Sequence, residues 1–114
     1  MIGDPAKIHG ESMKLEYYSG EKLKKEVLDV IGRYIDLRKY RVFFFGSRVD
    51  GKADERSDID LGIEGSEPIR ASTMLDIHEE IENLPTLYKI EVVDFSEVSE
   101  KFKEVAKQHR EMLN

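Results

Sequence analysis

The sequence predicts an α/β (α+β) domain, a small mixed β-sheet flanked by helices, and three observations lead there. Apolar residues recur at helical spacing in three segments, short β-prone apolar runs lie between them, and 114 residues with 39% hydrophobic composition leave room for one core. Residues 1–20 stand apart. Gly3, Pro5, Gly10, Ser12 and Gly20 mix with charges and show no sustained period, so they read as a tail, disordered or appended, ahead of a domain over 21–114.

From Glu21 to about Arg38, Leu23, Val27, Val30, Ile31, Tyr34 and Ile35 mark one face of an amphipathic helix. Val42-Phe43-Phe44-Phe45 follows, apolar at every position, which predicts an interior strand buried on both faces and ending at Gly46. The chain then turns polar from Ser47 to Ser57. Asp58 to Glu64 alternates acids and glycine with Ile59, Leu61 and Ile63, the pattern of a strand with one apolar face. Pro68 can open a helix whose face carries Met74, Ile77, Ile81 and Leu84 and which Pro85 ends. Leu87 to Phe95 predicts a third strand, with Ile90 and Val92 on one side and Lys89, Glu91 and Val93 on the other. Ser96 or Ser99 can cap a last helix bearing Val98, Phe102, Val105, Ala106 and Met112 or Leu113.

Charge and composition narrow the partners. A net charge of −6, with 37% charged residues, gives no global positive field for a nucleic-acid backbone or an anionic bilayer, so strong independent nucleic-acid binding is not expected. The sequence has no cysteine, which excludes disulfide frameworks and thiolate zinc sites and makes the cytoplasm the expected setting. No apolar run is long enough to cross a bilayer, and Met1 to Ser19 lacks the apolar centre of a secretory signal.

The chemistry sits at the junction of the first two strands. Gly46-Ser47 ends one, ten residues intervene, and Asp58-Ile59-Asp60 opens the next. Residues two apart on a strand share a face, so Asp58 and Asp60 project together while Ile59 enters the core. Two adjacent like charges need a cation. Hard oxygen ligands suit Mg²⁺, which takes one or two carboxylates and completes its shell with water and substrate phosphates. A glycine lets backbone approach a phosphate closely, and a serine hydroxyl beside exposed N–H groups can hold its oxygens.

This pattern, with Ser57 before and Leu61 after, resembles the signature of the nucleotidyltransferase superfamily related to DNA polymerase β. The size and the Phe-Phe-Phe-Gly-Ser lead-in resemble its minimal nucleotidyltransferases. The resemblance implies transfer of a nucleoside monophosphate, AMP from ATP, with two Mg²⁺ ions held by Asp58, Asp60 and a third carboxylate on a later strand that also acts as base. Glu91, mid-strand within Lys89-Ile90-Glu91-Val92, matches that position. Asp94 is the competitor, three residues on and facing the other way. Gly46 and Ser47 would hold the triphosphate. Many relatives carry arginine four positions after the glycine, where this chain has Asp50; Arg48 or Arg56, in the same loop, can supply that charge.

Minimal nucleotidyltransferases are often encoded beside a helical HEPN protein, a class that includes RNases, and neutralise it. The resemblance therefore implies a HEPN partner with a tyrosine acceptor, or an antitoxin that masks the partner without chemistry. A homo-oligomer is compatible with either. His78 and His109 read as surface or boundary residues, and the three phenylalanines as core rather than a stacking platform.

Overall fold

A computed structural model describes residues 20–46, 58–86 and 88–114. The elements are α1 (Gly20–Ile31), β1 (Tyr40–Phe45), β2 (Ile59–Gly65), α2 (Ala71–Glu82), β3 (Ile90–Asp94), a 3₁₀ turn (Phe95–Glu97), α3 (Glu100–Lys107) and β4 (Arg110–Met112). Four strands form one mixed sheet in the order β3-β2-β1-β4, with β2 and β3 parallel and the other two pairs antiparallel.

Strand alternation divides the core between the two faces of this sheet. Val42 and Phe44 of β1, Ile59, Leu61 and Ile63 of β2, and Ile90 and Val92 of β3 share one face, covered by Leu23, Val27, Val30 and Ile31 of α1 and by Ile77 and Ile81 of α2. Phe43 and Phe45 point the other way and pack with Phe95 and with Ala106 of α3. Phe95 meets Phe43 and Phe45 edge to face, with centroids 4.8 and 5.0 Å apart, the arrangement aromatic quadrupoles favour. The phenylalanine run is core, as predicted. Its two faces serve two different layers.

Three expectations change. The first helix was expected to reach Arg38, but α1 ends at Ile31 and the chain tightens into turns, with Arg33 N–H donating to Val30 O at 3.1 Å and Tyr34 N–H to Ile31 O at 3.0 Å. Gly32, a poor helix residue, stands at that point. Tyr34, Ile35 and Leu37 still reach the same core from the turn, which explains why the spacing of Tyr34 and Ile35 imitated a continuing helix. The Tyr34 hydroxyl donates to Glu80 of α2, and the Arg33 guanidinium pairs with the same carboxylate at 2.6 Å.

The second difference lies at the C-terminal end. The last helix stops at Lys107, and Arg110–Met112 forms β4 against β1 instead of extending the helical face. Leu113 N–H donates to Val42 O at 2.8 Å. The Asn114 side chain accepts from Val42 N–H and donates to Leu37 O and Tyr40 O. Edge backbone groups of β1 are thereby satisfied, which is what an interior strand demands.

The third concerns burial. Of the apolar residues predicted along the last helix, Ala106 is buried, whereas Phe102 is 44% and Val105 60% exposed. The cap is Ser99, whose hydroxyl accepts from Phe102 N–H at 3.2 Å.

Candidate active site

The sheet face opposite α1 and α2 carries the carboxylates. Asp60 pairs in register with Phe45 of β1 on one side and Glu91 of β3 on the other, so Asp60 and Glu91 stand next to each other on adjacent strands. Asp58 lies one step before β2 and is exposed. Ile59, between the two aspartates, is fully buried on the opposite face, so period-two geometry delivers both acids to one side.

Gly46 follows β1 with φ +88°. A Cβ at this position would run into Asp60 Oδ2. The glycine is thus required twice, for the left-handed turn and for the close approach of the Asp60 carboxylate to the end of β1. Neither reason follows from the sequence pattern, which assigns Gly46 to phosphate approach alone.

Electrostatics single out Asp60. Partial burial pushes its carboxyl pKa above the ordinary carboxylate range, and the charges of Asp58 and Glu91 push it further in the same direction. Glu91, for its part, is paired with Lys89 on the same strand face, Nζ to Oε1 3.3 Å. The ammonium is held in its charged form by that bond and by the nearby Glu91 and Asp58 charges.

The donor chemistry fits a hard divalent cation: two carboxylates at the start of β2 and a third in register beside Asp60. The arrangement as it stands is not a closed metal cage. Among the described residues, no three Asp, Glu, His or Cys side chains converge closely enough to hold an ion.

Asp94 is committed elsewhere. Its carboxylate accepts from Ile69 N–H at 2.9 Å and from Ser96 N–H at 3.0 Å, and from the Ser96 hydroxyl at 2.7 Å, capping the 3₁₀ turn. We expect Asp94→Ala to cost about 1–3 kcal/mol, since it strands the N–H of buried Ile69 and removes a cap. Nucleotide transfer per folded molecule should survive it. Urea unfolding together with an activity assay checks both halves.

A cavity of about 360 Å³ opens beside the acids, lined by Phe45, Gly46 and Asp60 on the sheet and by Phe102, Val105, Ala106, Gln108 and His109 from α3 and its end. The exposed apolar face of α3 thus flanks Asp60. His109, given no role from the sequence, is part of this wall. Ser47, Arg48 and Arg56, the other predicted phosphate contacts, lie outside the described residues.

A family model for the polymerase beta nucleotidyltransferase domain matches residues 40–114, from β1 through β4. The chain belongs to that family. The polymerase beta nucleotidyltransferase domain therefore includes all four strands of the sheet. The probable protein adenylyltransferase MntA of Haemophilus influenzae is 31% identical over 85 residues, 73% of this chain and 75% of that protein. Among solved structures, a toxin–antitoxin crystallised with AMP-PNP superposes with a TM-score of 0.66 at 14% identity, over 80% of this chain and 72% of its own. The MNT antitoxin complex with tri-AMPylated Shewanella oneidensis HEPN toxin gives a TM-score of 0.64 at 12% identity, over 82% and 71%. At such identities these two establish a shared fold. Among the described residues no helix is long and apolar enough to cross a membrane.

Proposed function

We propose that this nucleotidyltransferase moves AMP from ATP, with Mg²⁺, onto a hydroxyl of a protein partner, a tyrosine of a HEPN-type toxin, in the cytoplasm. The observation that carries the reading is the setting of Asp60, a half-buried carboxylate whose charge is opposed by two other carboxylates of the same face. That repulsion is the cost of a site built for cations.

Bound Mg²⁺, two ions in this reading, would neutralise charge on the phosphate oxygens and activate the acceptor oxygen. Asp58 and Asp60 would hold the ions, and Glu91 would complete their ligand set once released from Lys89. Glu91 would also take the proton of the acceptor hydroxyl as its oxygen bonds to the α-phosphorus. The bond from that phosphorus to the bridging oxygen breaks, and pyrophosphate leaves. Gly46 and Ser47 would receive the triphosphate, with Arg48 or Arg56 in place of the arginine that Asp50 replaces. The cavity under α3 gives the reacting groups an apolar wall next to Asp60.

The names of the relatives support both the nucleotide and the partner: one is a probable protein adenylyltransferase, one a toxin–antitoxin solved with AMP-PNP, and one an MNT antitoxin in complex with an AMPylated HEPN toxin. They also favour a second reading, in which the chain neutralises such a toxin by binding alone. One experiment separates them. Incubation with labelled ATP, Mg²⁺ and a co-expressed HEPN partner should label the partner, and chelation or the double variant Asp58→Asn, Asp60→Asn should abolish labelling. Neutralisation that persists fully in the double variant, with no label transferred by the wild type, would establish masking and defeat the enzymatic reading.

A further inference from the structure

Beside the three acids, the chain leading into β3 places a cation, Lys89. Parallel pairing sets Ile59 beside Ile90 and Asp60 beside Glu91, and Ile59 N–H donates to Lys89 O at 2.9 Å. Lys89 stands one step before Ile90, as Asp58 stands one step before Ile59. Lys89 therefore shares a sheet face with Glu91, two positions away, and lies at the same level as Asp58. Its ammonium lies 3.3 Å from Glu91 Oε1. The result is a four-cornered arrangement: Asp58 and Asp60 at the start of β2, Lys89 and Glu91 at the start of β3.

We propose that Lys89 is a tethered counter-cation that competes with divalent metal for Glu91, so that the site binds metal weakly until substrate phosphates add their own charge. This rests on Glu91 being a metal ligand, as set out above. The chemistry is a matter of charge counting. With Lys89 in place, these four residues carry three negative charges against one positive. That pairing offsets part of the repulsion on Asp60 in the metal-free protein and occupies an oxygen that a metal would need. A divalent ion arriving alone must displace an ammonium that then remains nearby and repels it. An ion arriving with a triphosphate meets a site in which the displaced ammonium has phosphate oxygens to face, so the same lysine changes from competitor to partner. Lys89 is a positioning residue in this scheme. Its side chain is 69% exposed and that of Glu91 46%, so the lysine can swing aside without unpacking the core.

The test is Mn²⁺ binding in the absence of nucleotide, followed by the loss of the free-ion electron paramagnetic resonance signal, in the wild type and in Lys89→Met, Lys89→Arg and Glu91→Gln. Lys89→Met should bind Mn²⁺ roughly three- to tenfold tighter, the effect of removing one positive charge several ångströms from a divalent ion in a screened, solvent-facing site. Lys89→Arg should stay near the wild type. Lys89→Met should also melt at a lower temperature than the wild type in chelator and recover with Mn²⁺. Equal or weaker Mn²⁺ binding by Lys89→Met, with binding still lost in Glu91→Gln, would overturn the competition while leaving Glu91 as a ligand. Binding indifferent to Glu91→Gln, or absent from every variant, would overturn the metal role of Glu91 and the proposal with it.

Discussion

Asp60→Asn is expected to lower nucleotide transfer on the order of a hundred- to thousandfold, the range seen when one preorganised electrostatic group is removed from a reacting centre, and to make the metal-free protein more stable. The two effects have one origin. Burial and the charges of Asp58 and Glu91 hold the Asp60 pKa above the ordinary range. In the unfolded chain those influences are gone, so the folded state binds the proton more tightly. Ionised Asp60 therefore works against folding: the stability that protonation confers is present below the unfolded pKa and is lost as pH rises through the folded one. At neutral pH an uncharged amide escapes that loss. In chelator, Asp60→Asn should melt above the wild type at pH 7, and the gap should close as pH falls through the carboxylate range. Added Mg²⁺ should stabilise the wild type and leave the variant unmoved. A less stable variant with unchanged transfer activity would show that Asp60 is an ordinary surface carboxylate.

The candidate site was legible where it depends on spacing along the chain. Period-two alternation was enough to place Asp58 and Asp60 on one face with Ile59 behind them, and to put Glu91 and Asp94 on opposite faces of β3. The structure then shows why Asp94 is spent on Ile69 and Ser96. What depends on tertiary placement was not legible. The approach of Gly46 to the Asp60 carboxylate exists because β1 and β2 pair in one register, and a pattern of residue types does not contain a register. The cavity under α3 depends on where that helix comes to rest. Phe102 and Val105 carry the same helical period whether they are buried or overhang a cleft.

The fold divides along a similar line. Strands β1 to β3 and the helix between β2 and β3 announced themselves because each buries a long apolar face, and hydrophobic period reports burial. The strand β4 carries Arg-Glu-Met, with no alternation of its own. It forms because the outer edge of β1 has N–H and C=O groups to satisfy, and that demand lies on a segment almost seventy residues earlier in the chain. The first helix was overestimated for the converse reason. Tyr34, Ile35 and Leu37 reach the core that α1 covers, so the burial pattern persists after the helix stops.

The second large effect is expected at Gly62, and here two opposing contributions must be compared. A β-branched residue suits a central strand better than glycine by up to about 1 kcal/mol, which would favour Gly62→Val. Against this, a Cβ at residue 62 would fall 2.5 and 2.6 Å from ring atoms of Phe43 and 2.8 Å from the Phe95 ring. Both rings are fully buried and locked edge to face. The Arg110 guanidinium also lies over Phe43, 5.1 Å from its centroid, so ring movement disturbs β4 as well. Overpacking of this kind costs about 1–3 kcal/mol, and more where neighbours cannot yield. The steric contribution wins, and Gly62→Val should lose about 3 kcal/mol in urea unfolding. Phe43→Leu in the same chain should restore part of that loss, a coupling that a double-mutant cycle reads directly because the two residues are register partners. Transfer activity should fall with Gly62→Val even where the protein stays folded, since Phe45, Asp60 and the cavity wall share this layer with Phe43 and Phe95. A variant as stable as the wild type, or a cycle with no coupling, would mean that the aromatic layer yields freely and does not hold Asp60 in place.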